Sequence, residues 1–140
     1  MTNYIDTVQP TEAEVFGGVP YHSKLFRVLS SQSCRYTIYY FLASEEPSSA
    51  IGDLLSGVQC ILGYGSRRTC LVDDDRLASL LATTTLPALS EIDVVEFDPR
   101  THTVRYCVQP TVEEFAEHAA YQELSESFVR DHLFANESLY

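Results

Sequence analysis

Between residues 73 and 108 the spacing of apolar positions changes from a helical period to the alternation of a strand. Asp73, Asp74 and Asp75 open this stretch, where carboxylates interact favourably with the amino end of a helix. Proline lacks an amide hydrogen and its ring collides with the carbonyl four residues earlier, so Pro87 predicts a kink near Thr83 or a break into two helical pieces. The leucines of the predicted apolar stripe are Leu77, Leu80, Leu81 and Leu89.

The second part of this stretch predicts an antiparallel hairpin. Residues 94–97 are typical of a short strand, residues 98–101 (DPRT) of a turn, and residues 102–108 of the returning strand. Val104 and Tyr106 lie two residues apart, on one face of that strand. A long helix followed by a hairpin is therefore the element around which we expect the chain to be organised.

Helical spacing also predicts the elements on either side of it. Ser30 or Ser31 is placed to cap the second of these helices, and Ser48 or Ser49 is expected to start the third. The fold class predicted from these elements is α+β and mainly helical. The predicted helices cover about residues 23–29, 32–43, 48–58 and 112–124, with one or two further turns in 125–134.

Three segments are expected along the 140 residues. Residues 1–20 are polar, contain prolines and paired glycines, and predict a flexible arm. Residues 21–108 form the main domain, and residues 109–140 form a C-terminal helical segment. Small residues permit close approach of helices, so this segment predicts a homodimer that forms through the terminal helices. The residues of its expected self-pairing stripe are Val112, Phe115, Ala116, Ala119 and Ala120.

The charge of the chain is strongly one-sided. Twenty acidic against nine basic residues give a net charge of −11, and Lys24 is the one lysine. An acidic surplus with so little lysine is typical of a cytoplasmic protein from a halophilic archaeon, in which carboxylates keep the surface hydrated and salt screens their repulsion. An ordinary acidic domain is the alternative. The sequence has no run of 18 apolar residues and no basic-then-apolar leader, so we expect a cytoplasmic protein without a membrane segment.

Candidate chemistry is sparse. The glycine pair Gly63 and Gly65 lacks the preceding strand and the lysine of a phosphate-binding loop, and the four histidines are scattered, so no catalytic residue, cofactor or metal is expected. Cys60 and Cys70 flank a glycine-rich loop and suggest thiol or redox sensing. The alternative is that all four cysteines are small core residues.

Two segments, LFRVLSSQSCRYTIYYFL at 25–42 and LPALSEIDVVEFDPRTHTVRY at 86–106, resemble the small winged-helix domains of haloarchaea, the ArsR-like transcriptional regulators. The matching residues are Leu29-Ser30, Arg35-Tyr36, Leu86-Pro87-x-Leu89 and Val94-Val95-Glu96-Phe97-Asp98. The resemblance covers roughly residues 23–121. It implies a winged helix-turn-helix with a two-stranded wing and a C-terminal helix, and it makes Pro87 a feature of the family.

The resemblance also implies transcription regulation through sequence-specific binding of double-stranded DNA by a homodimer. The helix over residues 73–90 would enter the major groove, and the wing over residues 94–108 would contact phosphates. The protein would then belong to a halophilic archaeon or to its virus or plasmid. The candidate DNA contacts are Arg67 and Arg68 in the loop before the helix, Arg76 on its first turn, Arg100 and Arg105 on the wing, and Ser79, Thr83 and Thr84 toward base edges.

Departures from the family pattern leave a second class of function open. Gln32, Ser33 and Cys34 stand where the family carries arginines, and residues 78–85 contain no lysine, arginine, asparagine or glutamine, the side chains that normally read bases. The chain is alternatively a winged-helix module that has lost DNA binding and contacts a protein partner. In that case the arginines pair with surface acids.

Overall fold

A computed structural model describes residues 21–65 and 73–133. These residues form a mostly helical α+β fold with a small antiparallel sheet. The predicted arm over residues 1–20, the loop that carries Arg67, Arg68 and Cys70, and residues 134–140 lie outside the described residues. The helices are α1 Tyr21–Leu29, α2 Gln32–Ala43, α3 Ile51–Cys60, α4 Asp74–Leu80, α5 Leu86–Glu91, α6 Pro110–Glu123 and α7 Glu126–Phe128, and π-helical segments cover Ile61–Gly65, Leu81–Thr85 and Val129–Leu133.

The predicted hairpin is confirmed and gains a third strand. Strands β2 (Val95–Asp98) and β3 (Thr103–Tyr106) pair antiparallel with Val95 opposite Tyr106. Strand β1 (Ser48–Ala50) adds to the other edge of β3, so the strand order is β1-β3-β2. The Asp98 carboxylate accepts a hydrogen bond from the Arg100 amide at 2.9 Å, which stabilises the turn between β2 and β3.

The start of the third helix was predicted wrongly. Ser48 and Ser49 belong to β1, and the helix begins at Ile51, whose amide donates to the His102 carbonyl at 3.0 Å. Ser49 points into the protein, where its hydroxyl lies 2.9 Å from the Tyr40 hydroxyl. Three residues without a β-branched side chain carry no strand signal, and only their pairing with β3, more than fifty residues later, makes them a strand.

The break expected from Pro87 takes the form of a wider helical turn. The π-helical segment Leu81–Thr85 joins α4 to α5, and the Leu86 amide donates to the Leu81 carbonyl, five residues earlier. Pro87 stands in the first turn of α5, directly after this wider turn, and donates no helical hydrogen bond of its own. The helix nevertheless continues to Glu91, since the wider turn interrupts the regular α-helical spacing just before the proline.

Helix α2 lies at the centre of the core. Tyr36, Ile38 and Tyr39 are fully buried, and the Phe41 ring stacks on the Tyr106 ring of β3 at 5.4 Å between centroids. The predicted cap is confirmed, because the Ser31 hydroxyl accepts from the Cys34 amide. Leu77, Leu81 and Leu89 of the predicted stripe are buried, whereas Leu80 is exposed, contrary to prediction.

The small-residue stripe of α6 faces inward. Val112, Ala116 and Ala120 are fully buried in the core of the same chain, in which α6 packs against α2. The periodicity was thus interpreted correctly as an apolar face, but these three residues are not available to pair with a second copy. Phe115 remains exposed, and Ala119 is half-buried.

Candidate nucleic-acid interface

The helix from Asp74 to Glu91 and the β2–β3 hairpin carry the described candidate contacts. Leu77, Leu81 and Leu89 anchor the inner face of the helix in the core, which turns Ser79, Thr83 and Thr84 outward. The Gln59 amide group donates to the Asp74 carboxylate at 3.0 Å, and this bond fixes the beginning of α4 against α3. The three hydroxyl residues therefore share one exposed surface, as their spacing predicts.

Thr83 is less available for base contacts than Ser79 or Thr84. Its hydroxyl donates its single proton to the Ser79 carbonyl at 2.7 Å, one turn earlier in the helix. The Thr84 hydroxyl lies 3.4 Å from it. Thr83 can consequently accept a hydrogen bond from a base but has no proton left to donate.

Three of the five arginines predicted to contact DNA lie within the described residues, and all three are exposed. Arg76 lies on the first turn of α4, directly after three exposed aspartates. Arg105 of β3 stands opposite Glu96 of β2, with 3.5 Å between Nη1 and Oε2. Arg100 in the turn lies 3.8 Å from the Asp98 carboxylate, measured from Nε to Oδ1. Both hairpin arginines thus contact a neighbouring acid, which is the pairing expected for the arginines of a module that has lost DNA binding.

Electrostatics at this surface are mixed. Asp73, Asp74 and Asp75 bring negative charge to the end of the helix where a DNA-binding protein normally offers donors to phosphate. The net charge of −11 repels a polyanion at long range when salt is low. Molar salt screens both effects to within a few ångströms.

The beginning of α2 has an internal role that the sequence did not reveal. The Arg35 guanidinium donates to both carboxylate oxygens of Glu123, from Nε at 2.6 Å and from Nη2 at 2.9 Å. The Tyr39 hydroxyl donates to the same carboxylate at 2.6 Å. Bonding to Glu123 raises the pKa of Arg35, and burial, reinforced by Glu123, raises the pKa of Tyr39 well above its ordinary value.

Ser33 and Cys34, also at the start of α2, face the interior, whereas Gln32 is exposed. The Ser33 hydroxyl lies 2.8 Å from the hydroxyl of Thr85, which is fully buried in the π-helical segment between α4 and α5. Cys34 is buried, and burial raises the pKa of its thiol. Ser33 thus connects α2 to the helix 74–91, and Arg35 and Tyr39 connect α2 to α6.

The cysteines have different environments. Cys34 is a buried core residue, as expected if the cysteines are small core residues. Cys60 is exposed and Cys107 is half-buried, so that expectation does not hold for all of the cysteines. The partner proposed for Cys60, Cys70, lies outside the described residues. Within 21–65 and 73–133, no group of three or more histidine, cysteine, aspartate or glutamate side chains is arranged to hold a metal ion.

Comparisons with known proteins found no relative of this chain. The chain matches no family model, no curated protein and no solved structure. Among the described helices, none has the length and apolar character needed to cross a membrane.

Proposed function

We propose that this chain is a winged-helix transcription regulator that binds double-stranded DNA as a homodimer in a halophilic archaeon, its virus or its plasmid. The observation that carries the proposal is the order of elements. Helix α2, strand β1, helix α3, the helix 74–91 and the β2–β3 hairpin follow one another, and β1 completes the sheet in the order β1-β3-β2. This order supports the proposal, because it is the order expected of a winged helix-turn-helix, in which the helix before the hairpin enters the major groove.

The exposed surface of that helix and hairpin supports the assignment of contacts. Ser79 and Thr84 offer hydroxyl groups to base edges, and Arg76, Arg100 and Arg105 offer positive charge to phosphates. Arg67 and Arg68 join this set from the sequence prediction alone. In molar salt little counterion-release energy is available, so direct contacts must supply most of the affinity.

An exposed aromatic pair supports the dimer. Phe26 of α1 is 54% exposed and Phe115 of α6 is 38% exposed, and their rings meet edge to face at 5.6 Å between centroids. Exposed aromatic clusters of this kind often mark association surfaces. We therefore propose that the self-pairing surface lies on the outer sides of α1, the first described helix, and α6, the long helix of the C-terminal segment.

The experiment is a fluorescence-anisotropy titration of the purified protein with DNA from upstream of its own gene, in about 1–2 M KCl to screen the acidic surface. Wild type is compared with the double variant Arg100→Ala/Arg105→Ala. The matched control is Arg130→Ala, since Arg130 is also exposed and also lies near an acid, Asp131 at 3.6 Å, but belongs to the C-terminal segment.

We expect saturable binding that the double variant weakens about tenfold and the control leaves unchanged, because two phosphate contacts are removed only in the former. A folded dimer that binds neither this fragment nor a genomic library would contradict the proposal. Equal weakening by Arg130→Ala would contradict the assignment of the hairpin as the contact surface.

A protein-interaction module that has lost DNA binding is the second candidate. Two exposed apolar side chains favour it: Leu80 on the outer face of α4 and Phe97 on β2. Apolar side chains at such positions suit a protein partner better than phosphates. Absence of DNA binding in the titration, together with retention of a folded dimer, would favour this candidate.

A further inference from the structure

A cavity of about 590 Å³ lies between α2, α3 and the C-terminal residues from Ser125 to His132. Its volume is within the range of sites that bind small molecules. None of the candidate DNA contacts lines it. It is therefore a separate feature of the molecule, and the proposed function leaves it unused.

One wall of the cavity is the Tyr40 ring, which two contacts hold in place. On one side the ring packs so closely on α3 that a Cβ atom added at Gly57 would overlap it. At its end the Tyr40 hydroxyl lies 2.9 Å from the buried Ser49 hydroxyl of β1. The absence of a side chain at Gly57 thus lets the Tyr40 ring approach α3 closely, and the contact with Ser49 fixes the direction of the ring, so this wall is preorganised.

Two more rings, Phe128 and His132, line the same cavity. They lie four residues apart, with 4.9 Å between their ring centroids. Phe128 is anchored because its side chain packs against the core and its amide donates to the Ser125 hydroxyl at 3.3 Å. Ile61 contributes an apolar side chain to the lining. Three aromatic rings in the lining of one mainly apolar cavity favour a flat aromatic ligand, which can stack against them.

Charge narrows the ligand class further. Asp131 lines the cavity, no lysine or arginine is among its described lining residues, and the whole chain carries a net charge of −11. An anionic ligand is disfavoured by this field, whereas a cation is attracted to the faces of the aromatic rings and to Asp131, whose 3.6 Å contact with Arg130 is exposed and therefore weak. We propose that this cavity is a binding site for a small planar aromatic molecule that is neutral or cationic.

Three indoles with the same ring test the proposal: tryptamine, indole and indole-3-acetate, which are cationic, neutral and anionic. The chain contains no tryptophan, so indole fluorescence excited at wavelengths beyond the absorption of its nine tyrosines reports binding. Tryptamine and indole are expected to bind saturably with dissociation constants of about 1 mM or below, near what a dozen heavy atoms typically supply. Indole-3-acetate is expected to bind at least about threefold more weakly than tryptamine, the size of one exposed charge interaction. No DNA is present, so failure here leaves the DNA-binding proposal unaffected.

Variants locate the site. Ala43→Leu adds three carbon atoms at the cavity wall without removing a contact and should raise the dissociation constant at least about tenfold by filling the space. Ser127→Leu at the exposed rim serves the same purpose if Ala43→Leu fails to fold, which circular dichroism checks. The matched control is Ser56→Leu, on an exposed position of α3 outside the cavity lining.

Wild-type protein supplies a second measurement. Cys60 lines the cavity and is exposed, so bound tryptamine should slow its reaction with a thiol reagent several-fold, as mass spectrometry of the labelled peptides records. Cys107 lies outside the described lining and is the internal reference. Absence of saturable binding, binding that Ala43→Leu and Ser127→Leu leave unchanged, or equal slowing at both thiols would overturn the proposal. Tighter binding of indole-3-acetate than of tryptamine would overturn the assigned ligand class.

Discussion

Arginine meets carboxylate in two regions of this molecule, with very different consequences. At the junction of α2 and α6, Arg35 and Glu123 are 19% and 20% exposed, and two hydrogen bonds of 2.6 and 2.9 Å join them. In the hairpin, Arg100 and Arg105 are 89% and 64% exposed, and their nearest carboxylates lie 3.8 and 3.5 Å away. The residue types are the same, but burial and geometry differ.

This difference separates a structural ion pair from a replaceable one. The Glu123 carboxylate also accepts the Tyr39 hydroxyl, so losing it leaves that hydroxyl and two nitrogens of Arg35, Nε and Nη2, without their acceptor. Arg35 then keeps only the bond from Nη1 to the Leu29 carbonyl. Exposed pairs at 3.5 Å or more contribute little to stability. The hairpin arginines can therefore exchange a neighbouring carboxylate for a phosphate at small cost, whereas Arg35 cannot. A short, bidentate and partly buried pair belongs to the fold, and a long, exposed pair leaves its arginine available for an anionic partner.

Glu123→Ala should have the largest effect. It removes the acceptor shared by Arg35 and Tyr39, and we expect the free energy of unfolding to fall by about 2–3 kcal/mol. Chemical denaturation in high salt measures this loss. Glu114→Ala is the control, because it removes an exposed carboxylate from the same helix and should change stability by less than about 0.5 kcal/mol. Equal losses in the two variants would show that the junction contributes no special stability.

The pH dependence of stability tests the same junction. The pKa of Tyr39 is raised above its ordinary value of 10.0 by burial and by Glu123. Both states hold the proton below about pH 10, and above it the unfolded chain loses its proton first. The contribution of Tyr39 to the free energy of unfolding should therefore be constant below about pH 10. It should fall as the pH rises further, by up to about 1.4 kcal/mol per pH unit.

Above about pH 10 the slope of stability against pH is proportional to the number of protons that the unfolded chain has lost and the folded chain still holds. Tyr39→Phe should lower that number by about one. It should not abolish the slope, because burial also raises the pKa of Tyr106 and of Cys34. Denaturation curves recorded between pH 8 and pH 11, a window that spans the ordinary tyrosine pKa of about 10, measure the difference. A slope identical to that of the wild type would mean that Tyr39 titrates alike in the folded and unfolded states.

Arg105→Ala should have the smallest effect on stability. Its pair with Glu96 is long and exposed, so we expect a change within about 0.5 kcal/mol, measured by the same denaturation. The same variant should lower DNA affinity in the anisotropy titration, and this contrast is the expected mark of a replaceable pair. A destabilisation comparable to that of Glu123→Ala would remove the distinction between the two regions.

The sequence predicted elements that local chemistry determines. The helical period and the turn DPRT located the helix 74–91 and the hairpin, and Pro87 predicted that the helix could not be regular. It also predicted the Ser31 cap and the outward direction of Ser79, Thr83 and Thr84. Each of these features depends on residues within a few positions along the chain.

Features that depend on distant partners were not predictable from the sequence. Arg35 entered the sequence analysis only as a match to the family pattern, and its structural role was missed because its partner Glu123 is 88 residues away. The apolar stripe of α6 was expected to face a second copy, since periodicity identifies an apolar face but not the surface that covers it. Strand β1 and the aromatic cavity likewise arise only when separated segments meet.

The π-helical segment Leu81–Thr85 also determines how the chain tolerates changes in length. Leu77, Leu81, Thr85 and Leu89 recur every four residues and are all buried. In a regular α-helix a spacing of four drifts by about 40° per step, so Leu77 and Leu89 would point about 120° apart. The wider turn absorbs this drift in the manner of a single inserted residue. It is therefore the place in the helix where a one-residue deletion can be accommodated, since removing the extra residue restores a regular α-helical turn while α4 and α5 keep their own contacts.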